Sequence, residues 1–264
     1  MQILRGFIRF FLFLGIMVIH ILGIVIAVLV ARDKDRWLFA LFGSWAKMTQ
    51  YVLGIKVSIE GQIPSTPALY MPNHRSYIDV VFFPPFLKPV YVAKSEIRKW
   101  PVIGYGAKIV RTIFVNREDK NSRRNTRDAM KNRFENGYSV IVYPEGTTYK
   151  APELGEFYPG MFYVAASGDI PIVPVAIEYK NPDDAWVGDD VFIPHFLSCF
   201  GKKHTHVRLT FGDLTTHEDG EILRQKVHAW IDSKLREIQK EWGLMEGEEI
   251  VLDGKYINTE ALRG

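Results

Sequence analysis

An apolar run near the start constrains this chain more than any other feature. Residues 10–31 are hydrophobic or glycine throughout, interrupted only by His20. About 20 helical residues, at 1.5 Å each, cross the hydrocarbon core of a bilayer, so the run is long enough to span one. A secretory signal would have a shorter apolar core, about 7–15 residues, and a small-residue cleavage site. This run instead stops at Ala31-Arg32-Asp33-Lys34 without such a site, so a retained anchor is expected. Positive charge is denser after the run (Arg32, Lys34, Arg36) than before it (Arg5, Arg9), which favours an inner-membrane protein with a cytoplasmic body. Trp37, Leu38, Leu41, Phe42, Trp45 and Met48 are spaced for one face of a second, amphipathic helix. An in-plane or re-entrant arrangement of the first segment therefore stays open.

The rest of the chain has a globular composition, with 47% hydrophobic and 24% charged residues. Its net charge of +3 is too small to imply nucleic acid. A single cysteine, Cys199, excludes an internal disulfide and fits a reducing compartment. Short apolar strands are predicted at 57–59, 68–71, 90–93, 109–115, 139–143, 172–179 and 206–211. Helical stretches lie between them, including 122–135, which runs into Asn136-Gly137 as a helix end should. The last helix, 218–242, would bury Ile222, Leu223, Val227, Trp230, Ile231, Leu235 and Ile238. The alternation predicts an α/β fold. The expected layout is a membrane-anchoring segment 1–54, an α/β domain 55–243 and an acidic tail 244–264.

Three polar clusters each follow directly on a predicted strand. They are Asn73-His74-Arg75-Ser76-Tyr77-Ile78-Asp79, Asn116-Arg117 and Glu145-Gly146-Thr147-Thr148. Open α/β sheets bind ligands outside the carboxyl ends of their strands, so the clusters are expected to share one pocket. His74 and Asp79 would stand about 140° apart on a continuous helix. If His74 is in the loop and a helix starts near Ser76, Asp79 can reach back to the imidazole. A carboxylate on one ring nitrogen fixes the tautomer and frees the other nitrogen to take a proton. Ser76 to Asp79 also reads as a capping box, which leaves Asn73-His74 unexplained.

Here the sequence resembles the glycerolipid acyltransferases typified by 1-acylglycerol-3-phosphate acyltransferase. Their first block, a histidine and an aspartate with four residues between them, is matched by His74 and Asp79. Phe114-Val115-Asn116-Arg117 resembles the second block, Tyr143-Pro144-Glu145-Gly146-Thr147-Thr148 the third and Pro171-Ile172-Val173-Pro174-Val175 the fourth. Ala93-Lys94-Ser95-Glu96, with Pro101 and Gly104, also looks like the family. The resemblance implies a mixed β-sheet flanked by helices. It implies His74–Asp79 deprotonating a lyso-lipid hydroxyl that attacks an acyl thioester directly, turning 1-acyl-glycerol-3-phosphate into phosphatidic acid. By the same resemblance Arg117 would hold the acceptor phosphate. Asn73, Ser76, Lys94, Glu145, Gly146, Thr147 and Thr148 would complete the substrate site. The implied partners are acyl-CoA or acyl carrier protein as donor and a lysophospholipid as acceptor.

The third block of the family often ends in arginine where this chain has Thr148, so a phosphate would lose a bidentate partner there. A lyso-ornithine or similar amino-lipid is the alternative acceptor, with Arg111, Lys94 or Lys150 as possible substitutes for the missing cation. A thioesterase and an inactive lipid-binding protein are the readings from other classes. The stretch 98–133 carries eleven basic residues against three acidic ones, which suits an anionic lipid surface. No Gly-x-Ser-x-Gly elbow, Walker loop or dinucleotide fingerprint occurs, so no cofactor is expected. His204 and His206 have no carboxylate or thiol cluster around them, so no metal is expected either.

Overall fold

The structure, a computed structural model, describes residues 1–116, 119–244, 250–252 and 255–257. Two helices lead the chain, α1 (Gln2–Val30) and α2 (Lys34–Leu53). Then follow β1 (Ile55–Glu60), β2 (Leu69–Pro72), β3 (Pro89–Lys94), α3 (Ile103–Ile109), β4 (Ile113–Val115) and α4 (Lys120–Glu135). The second half contributes β5 (Ser139–Ile141), α5 (Gly160–Ser167), β6 (Ile172–Tyr179), α6 (Phe192–Gly201), β7 (Thr205–Phe211) and α7 (Gly220–Glu241). The seven strands form one sheet in the order β1-β7-β6-β2-β5-β3-β4. Strands β6, β2, β5, β3 and β4 are mutually parallel; β7 pairs antiparallel with β6 and parallel with β1. The sheet is therefore mixed and flanked by helices. The tail 244–264 lies largely outside the described residues, apart from the hairpin of β8 (Ile250–Leu252) and β9 (Lys255–Ile257).

All seven predicted strands are present, with shifted bounds. The apolar stretch 109–115 is the main correction. Ile109 closes α3, the chain reverses at Arg111 with φ +65°, and β4 begins only at Ile113. Ile109 and Val110 still face apolar surroundings, but from a helix end. On α2 the buried face is Leu38, Phe39, Phe42, Gly43, Ala46, Thr49 and Leu53, while Trp37 and Met48 are exposed. Small residues decide this rotation, since a Cβ on Gly43 would stand 2.8 Å from the Pro84 carbonyl oxygen. On α7, Ile222 is exposed and Leu223, Val227, Ile231, Leu235 and Ile238 are buried as expected. Helices α5 and α6 had no predicted counterpart.

Helix α1 is long and apolar enough to cross a membrane. It nevertheless packs along its length on the rest of the protein. Gly6, Phe13, Ile16, Met17, His20, Ile24 and Ala27 are buried against α2, α3 and α6. Ile3, Leu4, Phe7, Ile8, Phe11, Leu12, Ile19, Leu22 and Ile26 form an exposed apolar face. The Arg9 guanidinium donates to the carbonyls of Phe200 and Lys202 at 2.8 and 2.7 Å, and to Lys203 at 3.2 Å. These are carbonyls a helix C-terminus leaves without partners, where a cation is favoured. Past the other end of α1, Asp35 pairs with Arg111 and Tyr138 and ties α2 to the α3–β4 corner and to β5.

At the centre lies a buried ion pair. Arg75 is completely buried and donates from Nε and Nη2 to the two oxygens of Glu178, at 3.1 and 2.8 Å. Its Nη1 donates to the carbonyls of Tyr149 and Glu153 at 3.1 and 2.5 Å, and Gln239 of α7 donates to Glu178 at 2.6 Å. Breaking one half of such a pair strands a buried charge, whereas replacing both halves with apolar residues is often neutral. Arg75→Met is expected to destabilise the protein by about 3–5 kcal/mol, and Arg75→Met/Glu178→Leu by clearly less. Thermal unfolding in detergent checks this; a double variant as unstable as the single one would contradict it.

Candidate active site

The loop after β2 is held from every side. Asn73 uses both ends of its amide on the Ile177 backbone, accepting from its N–H at 2.7 Å and donating to its carbonyl at 2.9 Å. The His74 N–H donates to Glu145 at 2.6 Å, and the His74 carbonyl accepts from the Tyr149 N–H at 2.9 Å. The Arg75 carbonyl accepts from the Trp186 N–H at 2.9 Å. The chain then enters a short 3₁₀ helix, Tyr77–Val81, as the early helix start at Ser76 required.

Asp79, with no solvent exposure, collects four donors. One oxygen accepts from His74 Nδ1 at 2.8 Å, the Arg75 N–H at 2.8 Å and the Ser76 N–H at 3.0 Å. The other accepts from the Tyr179 hydroxyl at 2.6 Å. Both sequence-level readings of Asp79 hold at once, since it accepts from the Ser76 N–H and from the imidazole. The His74 ring stacks on Tyr143, with centroids 4.0 Å apart and an interplanar angle of 24°. With Nδ1 committed, the ring is fixed and Nε2 makes no hydrogen bond among the described residues. His74 lines a cavity of about 280 Å³ whose other walls are almost wholly apolar. They come from α1 (Phe13, Met17, Ile21, Ile24), α2 (Phe42, Trp45), the 3₁₀ helix (Tyr77, Ile78, Val81) and α3 (Ile103, Gly106, Ile109). An imidazole fixed by Asp79 thus stands at the wall of an apolar chamber roofed by the N-terminal helix.

The remaining expected site residues divide. Glu145 is brought to His74, but its carboxylate is occupied by the His74 N–H and, at 2.8 Å, the Gly155 N–H. It is a brace for the loop rather than a free ligand, and burial pushes its carboxyl up to about 7. Asn73 is likewise spent on the backbone, and Ser76 is buried. Gly146 turns the chain with φ +70°. Thr148 donates its hydroxyl to the Trp186 carbonyl, so it ties two loops together instead of facing a ligand. Thr147 and Lys94 are exposed, and Lys94 stands beside Val115 in the β3–β4 register. Arg117 lies outside the described residues. Arg111 is held by Asp35 and Tyr138, and Lys150 forms an exposed pair with Asp183 at 2.5 Å, while Lys94 makes no such pair among the described residues.

Sequence reasoning missed Arg75 and Glu178. One signal was present: Glu178 is the single charge in the run Ile172–Tyr179, every residue of which is buried. A carboxylate in such a strand demands a buried cation.

Residues 54–178 match the family model described as Acyltransferase. A lyso-ornithine lipid O-acyltransferase of Rhizobium meliloti is 28% identical over 74% of this chain and 73% of its own length. A chloroplastic 1-acyl-sn-glycerol-3-phosphate acyltransferase of Arabidopsis thaliana is 32% identical over 50% of this chain and 38% of its own. The crystal structure of the 1-acyl-sn-glycerophosphate acyltransferase PlsC from Thermotoga maritima shares the fold, with a TM-score of 0.71 and 19% identity over 90% of this chain and 98% of that one. Residues 54–178 thus form an acyltransferase domain similar to those of lyso-ornithine lipid and lysophosphatidic acid acyltransferases, and the protein is an O-acyltransferase.

Proposed function

We propose that the protein transfers a fatty acyl group from acyl-CoA or acyl carrier protein to the free hydroxyl of 1-acyl-glycerol-3-phosphate, forming phosphatidic acid. One observation carries this: a histidine fixed by a buried aspartate at the wall of an apolar cavity. In this reading Nε2 takes the proton of the acceptor hydroxyl as its oxygen attacks the thioester carbonyl carbon. The tetrahedral oxyanion collapses, the C–S bond breaks, and the leaving thiolate takes the proton from the imidazolium. Asp79 orients the ring and stabilises its cationic form. No acyl-enzyme is needed. The acyl chain occupies the cavity under α1, and Lys94, at the end of β3, together with Arg117 attracts the phosphate.

A second acceptor, a lyso-ornithine lipid, is favoured by Thr148. Its hydroxyl is turned to the Trp186 carbonyl at the position where a phosphate-binding arginine would stand. Purified protein in detergent, given an acyl thioester with each acceptor in turn, separates the two by mass spectrometry of the products.

We further infer that α1 lies within one leaflet of the inner membrane, with the body on the cytoplasmic side. Its exposed face is apolar, while Arg9, His20 and Ile24 are held by the body along its length. A helix gripped in this way cannot stand upright across a bilayer while the body stays outside.

His74→Ala is expected to lower kcat by about 10²–10⁴-fold with the melting temperature little changed; a fully active variant would sink the mechanism. Arg117→Ala is expected to raise the KM of the acceptor and leave that of the donor alone; an unmoved acceptor KM contradicts its role. Glu145 supplies a pH signature. Its folded pKa of about 7 stands above its ordinary 4.5, so its contribution to stability is complete in acid and lost as pH rises to about 7. The stability difference between wild type and Glu145→Gln should therefore fall by about 3 kcal/mol over that range. Melting curves across pH test this, and a constant difference refutes it.

A further inference from the structure

We propose that a second pocket, on the α6 side of His74, receives the carrier arm of the acyl donor: the phosphopantetheine that coenzyme A and acyl carrier protein have in common. The inference rests on the thioester reading above. The pocket has a volume of about 380 Å³ and is bordered by Val187, Val191, Pro194, His195 and Ser198. It is also bordered by Lys150 with its partner Asp183, and by Asp190, whose carboxylate accepts from the Val187 N–H.

Its position is the first argument. The segment 185–192 forms a partition, with Trp186 and Phe192 lining the apolar cavity while Ala185, Val187 and Val191 line the outer pocket. Tyr77 lines the apolar cavity together with His74, and its hydroxyl donates to Nδ1 of His195 at 3.3 Å. His195 Nε2 donates to the Ala185 carbonyl at 3.0 Å, which leaves Nδ1 as the acceptor. One wall of aromatic side chains thus separates the outer pocket from the cavity that His74 lines. In this proposal the acyl chain lies in the inner cavity, the carrier leaves along the rim of the wall, and the thioester carbonyl is held by the imidazole.

Chemistry is the second argument. A pantetheine arm alternates apolar carbon with uncharged amides and ends in a phosphate. Val187, Val191 and Pro194 meet the apolar parts. Ser198 is exposed and makes no hydrogen bond among the described residues, so its hydroxyl is open to an amide. The Lys150 ammonium at the rim already attracts an anion, Asp183, and both are largely in solvent, so the lysine can exchange that carboxylate for a phosphate. Topology is the third. In the sheet order, β2 and β5 stand between β6, which leads into this pocket, and β3 and β4, which end at Lys94 and Val115. Two substrates can therefore reach His74 from opposite sides.

Binding energy from a remote part of a substrate appears as loss of rate when that part is removed. The test compares kcat/KM for acyl-CoA, acyl carrier protein and the truncated acyl N-acetylcysteamine thioester, all with one acyl chain, in wild type, Ser198→Trp and Lys150→Ala. Wild type should prefer the full-length donors. Ser198→Trp, which fills the pocket, should lower the full-to-truncated ratio about tenfold, and Lys150→Ala, which removes the phosphate partner, about threefold. A fall with both full-length donors supports the shared arm; a fall with one alone supports the pocket and identifies the carrier. Ratios equal to wild type in both variants overturn the proposal. If wild type used none of the three thioesters, the transferase reading would fail. Calorimetry with coenzyme A would then decide the pocket, supporting it if binding is lost in Ser198→Trp and overturning it if not.

Discussion

The Arg75–Glu178 pair is the interaction on which the rest of the site depends. A guanidinium and a carboxylate without solvent contact carry a large desolvation cost, and only complete, well-directed hydrogen bonding offsets it. Here Nε and Nη2 grip both oxygens of Glu178, and Nη1 holds two carbonyls of the loop after β5. One side chain thereby fastens the β2 loop, β6, the 149–153 segment and, through Gln239, helix α7. Loops on a protein surface are usually its mobile parts. This one is rigid because moving it would strand a buried charge. His74 and Asp79 flank Arg75 in sequence and inherit that rigidity, so the imidazole need not be ordered when substrate arrives.

A second constraint is the division of the site between apolar and polar halves. The cavity beside His74 is roofed by the N-terminal helices and walled by the 3₁₀ helix, β3, α3 and two aromatic residues of the 186–192 segment. The polar side is built from the ends of β3, β4, β5 and β6. A lyso-lipid and an acyl thioester are themselves divided in this way, so the boundary between the halves is where their reacting atoms would meet. Arg9 on the carbonyls after α6 and the Asp35–Arg111–Tyr138 cluster hold the helices over this boundary. The same helix thus forms part of the cavity wall and presents an apolar face outward.

The family relation sits comfortably with this architecture while leaving the head-group contacts free to vary. The brace made by Glu145, the capping at Asp79 and the buried pair all concern the placement of His74, not the acceptor. Thr148 illustrates the distinction. Where relatives in this family often carry an arginine, a hydroxyl bonded to the Trp186 carbonyl joins two loops. The residues that place His74 are therefore distinct from Thr148, and similar proteins are named for different lyso-lipids.

Much of this was legible from residue order. Strand and helix periodicity placed all seven strands, because burial on one or both faces leaves a direct trace in apolar spacing. Spacing also identified His74 and Asp79, because a pair separated by a loop and one helical turn meets through local geometry alone. Stretch 109–115 was misread because apolar residues at a helix end and in a short strand look alike until the turn at Arg111 is seen. The partners of Asn73, Glu145 and Thr148 were hidden in a similar way: a polar side chain's partner across the sheet is invisible in sequence. By itself, then, the sequence determined the fold class, the apolar N-terminal helix and the histidine–aspartate pair, all set by contacts near in the chain. Only the tertiary structure decided that Arg75 meets Glu178, 103 residues away, and that α1 lies along the body to roof the cavity. Those pairings depend on which surfaces remain to be buried once every element has formed, and that is a property of the whole packing.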